Sequence, residues 1–88
     1  MPEPLTIAVD PTPNPHAMKF TLNRTVAAKG ETYRDPAVAA PWAKALLTIP
    51  GVLGVYGVNM FISVNKRPDV EWAVIVPQAE AALRQVFV

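Results

Sequence analysis

The chain has 88 residues, 51% of them hydrophobic and 17% charged, which suffices for one domain around a single modest core, so residues 1–88 are read as one domain. Eight Lys and Arg stand against seven Asp and Glu, scattered without runs, and this excludes the clustered basic face of a nucleic-acid binder. No cysteine is present, which excludes disulfides, thiolate metal sites and thiol nucleophiles, and no stretch approaches the ~20 apolar residues of a membrane span.

The first ten residues, MPEPLTIAVD, show neither a basic n-region nor a long apolar h-region, and a cytoplasmic protein is the expectation. Leu5, Ile7 and Val9 alternate with Thr6 and Ala8, the period of a half-buried strand. "DPTPNPHAMKF", residues 10–20, then sets prolines at alternate positions. Each fixes its own φ and holds the residue before it open, so Asp10, Thr12 and Asn14 lie in a rigid, exposed connector. Met18, Phe20 and Leu22 alternate with Lys19, Thr21 and Asn23 as a second strand. From Asn23 to Asp35 the pattern is weak, with a turn at Gly30 and a short extended piece at Glu31 to Arg34.

Pro36 and Pro41 both suit a helix start, and Pro41 is the better one, because Trp42, Ala45, Leu46 and Ile49 after it form one apolar stripe. Pro50 and Gly51 end that helix. Val52 to Tyr56 and Val58 to Asn65 read as a strand pair with a bend or bulge at Gly57. That register sends Val58, Met60, Ile62 and Val64 to the core and Asn59, Phe61, Ser63 and Asn65 to the opposite face. Asp69 offers an N-cap for a last helix, whose inner face carries Trp72, Ile75, Ala79, Leu83 and Val86. Glu80 and Arg84 are spaced to pair on its surface, and Pro77 is expected to kink it.

The order β-β-α-β-β-α implies an α+β, two-layer fold: a mostly antiparallel sheet with two helices on one face. The other face then carries Lys19, Thr21, Asn59, Phe61, Ser63 and Asn65, either as a docking surface with one aromatic anchor or as an ordinary solvated face. His16, the single histidine, lies in the proline connector without an acid or hydroxyl partner, so no catalytic residues are assigned and the chain is not read as an enzyme. Asp10, Asn14 and His16 are too sparse for a tight metal site, and "GVLGVYG" at 51–57 leads into a strand rather than a phosphate-binding helix. Trp42 and Trp72, at helical spacing, read as core residues.

"TPNPHAMKF" at 12–20, "APWAKALLTIPGV" at 40–52, "FISVNK" at 61–66, and Trp72 with Pro77 resemble, in order and spacing, the N-terminal domain of the Nfu (NifU-like) iron-sulfur scaffold proteins. Ala40 stands where that family has a serine before the helix proline, Met60 where it has an acid, and His16 where it has a second asparagine. Full-length members carry a further domain whose Cys-x-x-Cys binds the cluster, and this chain has no cysteine. The resemblance therefore implies a stand-alone, non-enzymatic accessory or docking domain in iron-sulfur cluster assembly. It leaves room for weak iron association, with no cofactor held by the chain itself and the cluster reached only through partners. Those partners would be iron-sulfur assembly or client proteins, with no nucleic acid and no membrane. A protein or peptide interaction module outside iron-sulfur chemistry is the alternative. Asn14, Lys19, Phe61 and Lys66 are the candidate docking residues, while the metal and cofactor-binding assignments are none.

Overall fold

In the computed structural model, which describes residues 4–87, the first two alternating runs become β1, Ile7–Pro11, and β2, Ala17–Leu22, paired antiparallel from Ile7 opposite Leu22 to Pro11 opposite Met18. The reading of 1–88 as one domain also takes in residues 1–3 and 88, which lie outside the described residues. The α+β expectation holds, and the sheet has one strand more than the four counted above. β3, Ala27–Tyr33, extends well upstream of the piece read at Glu31 to Arg34. It is an edge strand, and its pairing with the next strand is irregular between Ala27 and Glu31. A strand supported from one side needs no strict alternation, which is why Ala-Ala-Lys-Gly gave so weak a signal.

The remaining strands are β4, Val52–Asn59, and β5, Phe61–Lys66, and the spatial order β1-β2-β5-β4-β3 is antiparallel at each junction. The hairpin between β4 and β5 does not turn at Gly57. It turns at Asn59 and Met60, where Asn59 takes φ 53, a left-handed conformation that asparagine tolerates better than most residues. Moving the turn corrects two core assignments. Met60 is exposed at the turn, and Val58 pairs with Phe61 and so shares Phe61's face. The core takes Val55 and Gly57 from β4 instead. Gly57 is glycine because the Trp42 ring occupies its open side: a Cβ there would stand 2.6 Å from Trp42 Cη2.

The helices are α1, Pro41–Leu47, and α2, Trp72–Val86. Pro36 opens only a single 3-10 turn, Pro36–Val38, capped by Asp35 Oδ1, which accepts from the Ala37 amide at 2.9 Å. Ala40 precedes Pro41 and contributes no side-chain cap to α1. At α2 the expected cap is displaced. Asp69 is held by Arg67, with Nε to Oδ1 at 3.1 Å, and Glu71 stands at the N-cap position without a side-chain bond. α2 starts ahead of Pro77 and runs through it, with the proline on the exposed side. Arg84 does not serve as Glu80's partner, since its Nη1 donates to the Leu5 carbonyl at 2.9 Å and ties the end of α2 to the entry of β1.

Phe20, Leu22, Val55, Ile62 and Val64 from the sheet meet Trp42, Ala43, Leu46 and Ile49 from α1 and its exit, and Ile75, Ala79 and Leu83 from α2. Both helices therefore cover the same face. Trp42 is a core residue as read, packed edge-on against Tyr33 with ring centroids 5.8 Å apart. Trp72 only reaches the rim of the core and is half-buried.

Candidate functional site

Residues directly opposite one another in the sheet share a face, so the face without helices can be read off the register. One row across it runs Asp10, Lys19, Ser63, Tyr56, Thr32, and a neighbouring row runs Ala8, Thr21, Phe61, Val58. Between the rows Thr12, Lys19, Tyr56, Val58, Phe61 and Ser63 line a shallow cavity of about 220 Å3, mostly apolar and open to solvent. Lys19 leans across it with Nζ 4.2 Å above the Phe61 ring centroid, a cation–π contact that also keeps its charge in water. Tyr56, 41% exposed, lies over Gly30 of β3, its hydroxyl standing where a Cβ at Gly30 would be. Further along β4, Arg34, Leu53, Gly54 and Asn65 line a second recess on this side, where the Arg34 side chain covers Gly54.

The proline connector joins β1 to β2 at one end of the sheet. The Ala17 amide donates to the Asn14 carbonyl at 3.0 Å, and Asn14 Oδ1 accepts from the His16 amide at 2.9 Å, so Asn14 fixes this turn with its own side chain. The Thr12 hydroxyl lies 2.9 Å from the Asn14 carbonyl and 3.1 Å from that of Ala17. Trp72 Nε1 donates to the Pro15 carbonyl at 3.0 Å, and the Lys66 amide donates to the His16 carbonyl at 2.9 Å. The stiff connector is thus clamped to the start of α2 and to the end of β5.

The four candidate residues accordingly fall into two groups. Lys19 and Phe61 stand together on the open face. Asn14 and Lys66 sit at the connector corner, and Lys66 has the parity of Ile62 and Val64, which turns it toward the helices. Lys66 is only 7% exposed, with Nζ donating to the Arg67 carbonyl at 3.2 Å and lying 5.6 Å from the Trp72 ring centroid. A surface continuous across all four is therefore not what the fold provides. Tyr56 and Val58 were missed because the turn was placed at Gly57. With the turn at Asn59, the same alternation puts both beside Phe61.

Among the described residues no three His, Cys, Asp or Glu side chains come together as metal ligands, and Asn14 Oδ1 is already engaged by the His16 amide. The Tyr33 hydroxyl donates to Glu31 Oε1 at 2.6 Å, and this bond raises the phenol pKa above its ordinary value, so Tyr33 stays protonated at neutral pH.

The family model described as "Scaffold protein Nfu/NifU N terminal" matches residues 7–88. A Drosophila willistoni protein named "NFU1 iron-sulfur cluster scaffold homolog, mitochondrial" is 38% identical over 85 residues, 92% of this chain and 29% of its own length. The Drosophila sechellia protein of the same name is 36% identical over the same share of this chain and 30% of its own. The chain thus spans less than a third of the length of the curated relatives it matches. Among solved structures, Staphylococcus aureus protein SAV1430 superposes with a TM-score of 0.76 at 31% identity, over 86% of this chain and 95% of that one. A NifU-like protein from Saccharomyces cerevisiae gives 0.78 at 24% identity, over 92% of this chain and 76% of that chain, a likeness of fold. The expectation of a cytoplasmic protein is overturned by these matches, because the curated relatives are mitochondrial proteins.

Proposed function

The chain belongs to the Nfu/NifU N-terminal scaffold family, and from that premise we propose that it acts in iron-sulfur cluster assembly by protein contact, as a docking domain that leaves the cluster itself to a partner. Cluster irons are held by thiolates or a comparable ligand set, the chain has no cysteine, and the described residues bring no such set together. The residues present do not fit a cluster. The observation that carries the reading is the open sheet face, where Phe61 and Tyr56 stand half-exposed around an apolar cavity among small polar side chains. Aromatic anchors beside a preformed cavity are the groups that dominate binding energy when a partner covers them. Contact of this kind lets a domain bring an assembly or client protein near a cluster-bearing one.

Capture from an anaerobic lysate on the immobilised chain, with Phe61→Ala as the paired control, tests this. Iron-sulfur assembly or client proteins are expected on the unmodified chain and depleted on the variant. Recovery of equal sets, or of partners with no tie to iron-sulfur proteins, would contradict it.

A further inference from the structure

The charge pattern of the open face carries the docking reading one step further, to the chemistry of what docks. This face carries Lys19, Arg34 and Asp10, and among the described residues neither of those two cations forms an ion pair. Asp10 is directly opposite Lys19 in the register, yet the ammonium leans over Phe61 instead. Arg34 lies flat on the backbone at Gly54, with its Cγ 3.2 Å from where a Cβ would be, beside exposed Leu53. The two cations flank a trough floored by uncharged residues: Phe61, Ser63 and Asn65 of β5 beside Val58, Tyr56 and Gly54 of β4.

We propose that this trough binds an extended, acidic segment of a partner protein, one apolar side chain seated in the Phe61–Tyr56 cavity and carboxylates on Lys19 and Arg34. Spacing supports the pairing. Lys19 and Arg34 are three strands apart in the sheet, roughly 14 Å at about 4.8 Å per strand, with a further offset of two residues along β3, so acids about five residues apart in an extended chain reach both. The chain's net charge is only +1, so attraction for an acidic segment comes from this local arrangement rather than from the molecule as a whole. Arginine and lysine at the edges of an apolar seat choose register and partner, while the aromatic pair supplies most of the contact.

The inference rests on the docking reading, and its test uses a defined probe so that the two can fail separately. The capped peptide acetyl-Glu-Glu-Leu-Phe-Gly-Glu-Glu-amide is titrated into the full chain and followed by amide chemical shifts, beside a control peptide with glutamine at every glutamate. The acidic peptide is expected to bind with shifts centred on 54–58, 61–65 and 19, and to weaken as salt is raised. The control peptide, and Lys19→Glu or Arg34→Glu against the acidic one, should each bind at least about fivefold more weakly. Equal binding of both peptides, no binding of either, or shifts concentrated on the groove between α1 and α2 or on the free edge of β3 would overturn the proposal. If the peptide fails while Phe61→Ala still abolishes capture of iron-sulfur partners, docking stands and the acidic segment falls.

Discussion

The two faces of the sheet are made from alternate residues of the same strands, and only one of them is covered by helices. On the helix side Phe20, Ile62, Val64 and Val55 are at most 1% exposed and closed over by two helices. On the other side, one residue away on the same strands, Lys19, Phe61, Ser63 and Tyr56 stand around a solvent-open cavity on which none of the described residues is packed as a covering layer. Burial on the first face supplies the hydrophobic free energy that holds the fold, so substitutions there act on stability. Substitutions on the second remove little buried area and are free to act on recognition. Each face thus has its own readout.

The strongest way to break this division is at Ile62, fully buried beside its cross-strand neighbour Phe20 on the helix-covered face. Ile62→Ala should cost about 3 to 4 kcal/mol in denaturant unfolding, through lost transfer energy and the cavity left behind; a loss under about 1 kcal/mol would mean that the helices do not close this face. Gly57→Ala is next, because its methyl would collide with the Trp42 ring. It should destabilise by about 2 kcal/mol and perturb Trp42 fluorescence, whereas a neutral outcome would show that the ring is free to move.

Trp72→Phe is milder. It keeps an aromatic body at the rim of the core and removes the donor to the Pro15 carbonyl, for an expected cost of about 1 kcal/mol together with faster hydrogen exchange in the connector. Unchanged exchange would show that the indole does not clamp the proline turn. Ala40→Ser should raise stability by up to about 1 kcal/mol by giving α1 the N-cap side chain it lacks, with no effect on either face. A thermal melt reads this directly.

Strong periodicity made most of this fold legible. Met18, Phe20 and Leu22 announced a strand, Pro41 with Trp42 and Leu46 a helix, and Ile75, Ala79 and Leu83 the buried face of another. β3 was nearly invisible because an irregular edge strand can fold without a two-faced pattern. The turn at Asn59 was hidden for a different reason: Gly57 drew the bend to itself, while the fold uses that glycine to admit Trp42 and lets an asparagine take the left-handed conformation. Of the candidate residues, alternation alone placed Lys19 and Phe61 together. The same alternation, counted on from Ile62, turns Lys66 inward. The clamp of Trp72 on Pro15 joins residues 57 positions apart and left no local trace.

The central claim, that one sheet carries stability on one face and recognition on the other, is tested most directly by measuring both quantities on Phe61→Ala in the full chain. Capture of iron-sulfur partners should weaken by at least about 1 kcal/mol, roughly fivefold, while unfolding free energy changes by less than that. Loss of the fold would assign Phe61 to the core, and unchanged capture in a stable variant would remove the open face from recognition; either result contradicts the account.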